Sequence, residues 1–358
     1  MVHPLAHRIL AAIAAVSATT VVACGASSTK SGGGDDGPWA DKLQSNDRET
    51  QMSRQCWTKA QLAPSAPDPK TETCPEIAKL YDLGLAHRSQ PTDPAGGAIV
   101  EGPTEWKGDC CYLETHWHTG RPFPVAGEVR RAPLVASASG CDAASAALAW
   151  AEDGRSEHAS VASFARFALE LLELGAPLEL VADAHRAALD EVGHAQACFE
   201  IATSLGAGPL RPGPLAIGAA SPGTELNLVR AVRAAFEEGC VAETTAVLLA
   251  EAPLERARDP RVIAALERIT EEEAAHATLA FRFVAWAVAT GGAPVRAAIR
   301  DTLALARLSL DTKTLQNTDD RADVELGRLT AEDVSRVRRE AFDRVLEPTT
   351  RALLDVGV

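Results

Sequence analysis

The chain has 358 residues, with 49 acidic and 35 basic side chains and a formal charge of -14. Hydrophobic residues at 46% and charged residues at 23% are an ordinary globular composition, which excludes a mostly disordered chain. The acidic balance excludes a nucleic-acid binder, because phosphate contacts need a basic surface. With 2 Tyr and 8 Phe the core must be aliphatic and Ala-rich, which favours helices over a β-sandwich. The first element is apolar from Ile9 to Ala23, after a short start with a single Arg8. At about 15 residues it falls short of the roughly 20 that span a bilayer, and it reads as the apolar core of a secretory signal.

The residues that follow, Val21-Val22-Ala23-Cys24-Gly25-Ala26, resemble the bacterial lipoprotein signal, with small residues ahead of a lipidated Cys. The resemblance implies removal of residues 1–23, lipidation of Cys24 and a membrane partner reached through that anchor. A plain signal peptide with an incidental Cys24 is the alternative. Residues 24–37, rich in Ser, Gly and Asp, form a flexible tether. Gly25, in place of Asp, favours an outer-membrane or periplasmic location over inner-membrane retention. Export to an oxidising compartment favours disulfides among Cys56, Cys74, Cys110, Cys111 and Cys141. Cys198 and Cys240 are expected to be buried, unpaired thiols.

Residues 38–140 are rich in Pro, Gly and Cys and read as a small irregular module with a few strands, stapled by disulfides. His116-x-His118, in a strand, sets both imidazoles on one face, so a second metal site is weighed there against a disulfide framework with exposed His. Residues 141–291 change character, and Ala, Leu, Glu and Arg recur with helical period. Helices are predicted near 143–174, 177–206, 225–251 and 260–290, with extra helices near 294–316 and 330–346 in a C-terminal segment, 292–358. The link Leu205–Thr224 is rich in Gly and Pro. Its ~20 residues reach about 66 Å when extended, against about 36 Å for a 24-residue helix. It can therefore cross the length of a bundle, while the other links are short hairpins.

Each of these four helices carries an apolar stripe with a carboxylate at its centre. The first stripe is Trp150, Gly154, Glu157, Val161, Phe164, Ala168 and Leu171. The second is Ala184, Ala188, Glu191, His194, Cys198, Ile201 and Leu205. Val229, Val232, Phe236, Cys240, Glu243 and Val247 form the third, and Val262, Leu266, Ile269, Glu273, His276, Ala280 and Phe283 the fourth. Four Glu on core-facing stripes, with no Lys or Arg among them, repel one another unless a cation compensates. Glu191-x-x-His194 and Glu273-x-x-His276 each set a carboxylate and an imidazole one turn apart on one face. The two segments also form an internal repeat, Leu189–Ala195 against Glu271–Ala277, each followed by a Phe at the same offset, Phe199 and Phe281. Glu152 and Glu238 lie five residues before Glu157 and Glu243, about 140° round the helix, and are expected to be exposed or to lie behind the ligands. Glu238 in place of Glu243 as a ligand is the lesser alternative. Glu237, Glu238, Glu271 and Glu272 read as solvated acid, and His158 and His185 as surface residues.

Four Glu and two His in two E-x-x-H motifs resemble the ferritin-like, rubrerythrin-type di-iron carboxylate superfamily. The resemblance covers roughly residues 142–291. It implies a mainly α fold: a ferritin-like four-helix bundle with one long crossover, preceded by the Cys-rich module and followed by the extra helices. It implies two iron ions, with manganese as the alternative, held by Glu157, Glu191, His194, Glu243, Glu273 and His276. Glu191 and Glu273 would bridge, and Glu157 and Glu243 would be terminal. Asp190, Glu272 or backbone groups are the candidates to orient the imidazoles. Six ligands leave positions open for O₂ or peroxide, with an electron donor not specified. Both Tyr, at 81 and 112, precede the helices, which argues against a tyrosyl-radical role. The expected activity is oxidation of Fe(II) or reduction of O₂ or peroxide. The alternatives are a non-catalytic iron or manganese scavenger of the cell envelope, a di-iron hydroxylase of a small substrate, and a metal-free helical scaffold.

Overall fold

The structure, a computed structural model, describes residues 3–16, 52–58, 74, 95–118, 121–125, 128–136, 145–217, 227–311 and 323–355. Cys24, the tether 24–37 and Cys141 lie outside the described residues. The chain is mainly helical, with a few short strands.

In the N-terminal part, β1 (Met52–Thr58), β2 (Ala95–Trp106) and β3 (Asp109–His118) form an antiparallel sheet in the order β1-β3-β2. Lys107 and Gly108 turn β2 into β3, both at positive φ, 52° and 91°. Two left-handed central residues match the strand twist of a tight hairpin. Cys74 and Cys110 form a disulfide, and Cys111, which the register places opposite Cys56, is also disulfide-bonded. β4 (Pro124–Val125) and β5 (Glu128–Val129) make a small hairpin. β6 (Leu134–Ala136) then pairs with β7 (Leu210–Pro212), which lies in the predicted crossover. The crossover is thus tied to the N-terminal part by a short sheet.

The helical body begins with α2 (Ser145–Glu173) and α3 (Leu178–Ala202), the latter extended by a π turn over Thr203–Ala207. Gly175, at φ 66°, ends α2, and Ala176 N–H reaches back to Leu171 C=O at 2.9 Å. This left-handed cap turns the chain sharply, so α3 packs back on α2. α4 runs from Leu228 to Glu251 in three pieces: Leu228–Ala234, a π-helical stretch Ala235–Val241, and Ala242–Glu251. Asn227 caps it, its side chain accepting from Arg230 N–H at 2.9 Å. α5 (Pro260–Asp311) comprises two helical stretches that meet at Gly292, whose φ of 59° is outside the helical range, next to Pro294. Within the described residues, the two helices predicted near 260–290 and 294–316 are these two stretches, separated where Gly and Pro interrupt the helix. α6 (Ala331–Ala341) continues through a π turn, Phe342–Leu346, into α7 (Glu347–Asp355).

The predicted stripes are the core. Their members are buried or half-buried throughout. A layer of carboxylates divides the interior into two apolar clusters. Phe164, Ala184, Phe236, Cys240 and Phe283 lie in one, and Trp150, Cys198, Ile201, Leu266 and Ile269 in the other. Cys198 and Cys240 are consequently apart, both free and buried, as expected.

The first helix was read as part of a signal. Here α1 (Pro4–Val16) packs against α5, α7 and the π turn before α7, burying Leu5, Ala6, Ile9 and Ile13 in the larger cluster. Burying side chains such as Leu5, Ile9 and Ile13 contributes about 1.5–3 kcal/mol each. Arg8 pairs with Glu271 at 3.2 Å at the edge of this contact.

Candidate metal centre

Glu157 on α2, Glu191 and His194 on α3, Glu243 on α4, and Glu273 and His276 on α5 come together in one buried cluster. All six residues predicted as ligands are in it. Glu157 is 6% exposed, and the other five are at 2% or less. Two ligand groups share a pair of residues: Glu157, Glu191, His194 and Glu273 in one, Glu191, Glu243, Glu273 and His276 in the other. Within each group the ligand atoms lie within 4.8 Å of one another. Glu191 and Glu273 thus stand between two half-sites.

The geometry follows from helical spacing. Residues three apart meet on one face, so Glu191 and His194 approach to 3.5 Å and Glu273 and His276 to 3.3 Å. Across the helices, His194 Nδ1 lies 3.6 Å from Glu273, and His276 Nδ1 lies 3.3 Å from Glu191. Both imidazoles therefore turn Nδ1 inward. Their Nε2 atoms point outward to acids of the opposite helix. His194 Nε2 reaches Glu272 at 2.8 Å, and His276 Nε2 reaches Asp190 at 3.2 Å. Arg268 in turn holds Glu272, at 3.0 Å. Of the candidates for orienting the imidazoles, side chains take the role, and each E-x-x-H motif is steadied by the acid preceding the other motif's Glu. Glu272 is half-buried, whereas Glu271 is exposed as expected.

The charge state has a clear sense. Burial, reinforced by Glu191 and Glu273, pushes the Glu157 carboxyl well above the usual range. Burial and the same two neighbours do this to Glu243. For Glu191 burial alone would raise the pKa, but contacts from His194 and His276 hold it below the usual range. Burial disfavours charge on both imidazoles, yet the surrounding carboxylates raise His194, and raise His276 strongly. The cluster draws positive charge to itself. Both oxygens of Glu191 and of Glu243, one oxygen each of Glu157 and Glu273, and His194 Nδ1 are buried with no hydrogen-bond partner. Orphaned anionic oxygens in a dry interior are strongly unfavourable unless a cation meets them. An oxygen-rich set with two imidazoles suits iron, manganese or zinc, and two ions would satisfy every inward-facing atom.

Two expectations are corrected. Glu237 and Glu238 are not solvated: they are 8% and 1% exposed. Glu238, the lesser alternative to Glu243, lies outside the cluster, and Glu243 lies in it. Ser163 Oγ donates to Glu238 at 3.0 Å, and Arg121 and Arg166 lie 3.5 and 3.4 Å away. Arg121, itself 2% exposed, stacks on Phe164 and Phe167, and its Nε donates to Ser163 Oγ at 3.0 Å. Phe164 stands edge-on to His276, with ring centroids 5.0 Å apart. Sequence reasoning missed Arg121, since nothing near Gly120-Arg121-Pro122 marks it as core. Glu152 is half-buried and paired with Arg131 and Arg155. His158 is half-buried and His185 exposed, and neither is in the cluster. His116 and His118 lie on β3, and their side chains are outside the described residues. Comparison with protein-family models, with curated proteins and with solved structures found no match.

Proposed function

We propose that the six side chains hold a pair of iron ions, with manganese as the alternative, in a ferritin-like, rubrerythrin-type bundle, and that the protein oxidises Fe(II) or reduces O₂ or peroxide there. The observation that carries this reading is the sharing of Glu191 and Glu273 between two half-sites, each completed by one further Glu and one His. A single-ion site needs no such duplication. When bound, a redox-active pair of this kind supplies electrons to O₂ or peroxide at its open positions.

The chain's own residues set the conditions. Glu191 and Glu273 face both positions, and Glu157 and Glu243 each face one. Glu272 and Asp190 accept the Nε2 protons of His194 and His276, which leaves each Nδ1 lone pair directed inward. Trp150, Leu266 and Ile269 on one side and Phe164, Phe236 and Phe283 on the other flank the carboxylate layer with apolar surface. No Tyr lies in the helical region to accept a radical. The site thus favours electron exchange with a small oxidant over storage of a protein radical. The proposal includes export, with attachment to the cell envelope through Cys24.

The test is elemental analysis of protein loaded anaerobically with Fe(II), followed by measurement of oxygen uptake on re-exposure to air. Two irons per chain and O₂ consumption that scales with loaded iron are expected. Two ions bound without O₂ consumption would instead favour the scavenger reading, and no bound metal would defeat both.

A further inference from the structure

A second feature reaches the centre from outside. A cavity of about 100 Å³ opens beside the Glu157 half-site, with Glu157 and Glu273 in its wall. Trp150, Cys198, Leu249, Leu266 and Ile269 supply most of the remaining surface. Its roof is the segment leading into α6, from Gly327 to Val334. That roof is fastened down. Trp150 Nε1 donates to Leu326 C=O at 2.9 Å, and Arg328 pairs with Asp153 at 2.5 Å while lying 5.3 Å over the Trp150 ring. Among the described residues lining the cavity, Arg328 is the one cation, and it is already engaged. Burial, and then the charges of Glu157 and Asp153, push the Cys198 thiol well above its ordinary range, so it lines the wall as a neutral group.

A different pocket lies on the other side of the centre. It is lined by Arg8, Asp183, Arg186, Asp190 and Arg282, and it meets His276. His276 Nε2 is directed at Asp190, whereas its Nδ1 faces the ligand cluster. The polar pocket thus touches the orienting acid and not the inward-facing carboxylates. The apolar cavity touches two of those carboxylates directly.

We propose that the apolar cavity is a binding site for a small, neutral, mainly apolar molecule held against the Glu157 side of the metal centre. Charge selects against the alternatives. An organic anion meets no net positive charge, since four Glu would balance two divalent ions and Asp153 balances Arg328. An organic ammonium must lose its water against Trp150, Leu266 and Ile269, competing for carboxylates that face the metal positions. Size limits the guest further: an apolar cavity of roughly 150 Å³ takes benzene, so this one suits about four or five heavy atoms. In making the guest a molecule presented to the metal pair, the assignment rests on the metal-centre reading and deepens it by naming what its apolar side admits.

The experiment uses the full metal-loaded chain and three probes of one size and different charge: 1-butanol, butyrate and butylammonium. Ligand-detected NMR measures binding, and elemental analysis of the same sample measures metal. Expected is binding of 1-butanol at least ten-fold tighter than of either ion, abolished in Ala250→Phe, which fills the cavity from α4, with metal content unchanged. Ala250→Leu serves if the Phe variant does not fold, with a smaller loss. Absence of 1-butanol binding, equal binding of the ions, or binding undiminished in both variants overturns the proposal. Selective 1-butanol binding in a protein without metal supports the cavity and refutes the metal centre alone.

Discussion

The two half-sites carry the same ligands and stand in different surroundings. Around His194 and Glu157 lie an aliphatic cavity and the roof before α6. Behind His276 lie Phe164, the buried Arg121–Glu238 pair and a charged pocket. The orienting contacts differ as well. Glu272 reaches His194 at 2.8 Å and is braced by Arg268, whereas Asp190 reaches His276 at 3.2 Å. Duplicated helical hairpins can give near-equivalent ligands, but the segments outside the hairpins are not duplicated. Asymmetry enters through what packs around the repeat.

The largest effect should erase the comparison altogether. Glu191→Gln removes a residue common to both half-sites, so metal content should fall from two ions per chain to fewer than one by elemental analysis. Glu157→Gln should spare the second ion. In the metal-free protein at neutral pH, Glu191→Gln should lower stability, because the carboxylate that His194 and His276 hold ionised is gone, whereas Glu157→Gln should change it little, its carboxyl already favouring the protonated form. The rise in thermal stability on metal addition should shrink by about 3 kcal/mol, the contribution of a ligand at roughly 100-fold its Kd.

Next is the support behind His276. Arg121→Ala leaves Glu238 buried beside Ser163 with a main cation gone, and should cost about 3–5 kcal/mol in urea denaturation. Arg121→Met combined with Glu238→Gln should recover much of that loss. The orienting acids come third. Glu272→Gln and Asp190→Asn should each weaken metal binding about 10–100-fold in chelator competition. The larger loss is expected for Glu272, whose contact is shorter and braced. The smallest effect concerns the roof of the apolar side. Thr330 caps α6 by accepting from Asp333 N–H at 3.0 Å, and Thr330→Ala should cost about 1 kcal/mol of stability by thermal melts.

The six cluster residues were legible because each rides on a stripe with helical period, where a carboxylate among Ala, Leu and Phe stands out against its neighbours. Glu191 and Glu273 each precede a His by three residues, the spacing that shares a face. Glu238 was misread for two physical reasons. Ala235–Val241 is π-helical, so angles counted at 3.6 residues per turn mislead there. Its partner Arg121 comes from a segment more than a hundred residues earlier. Close packing also matters at Gly239, where an added Cβ would fall 2.5 Å from that of Ala280. The pairing of β6 with β7 was equally hidden, since three-residue strands leave no periodic trace. Pro4–Val16 is ambiguous in principle, because an apolar run of that length suits a core helix and a signal alike.

That ambiguity has a structural consequence. The groove filled by Leu5, Ile9 and Ile13 is built from α5, α7 and the turn before α7, and all of these remain when residues 1–23 are removed. On the proposed removal of residues 1–23 that apolar groove would be bared, and the charged pocket would lose Arg8 from its wall.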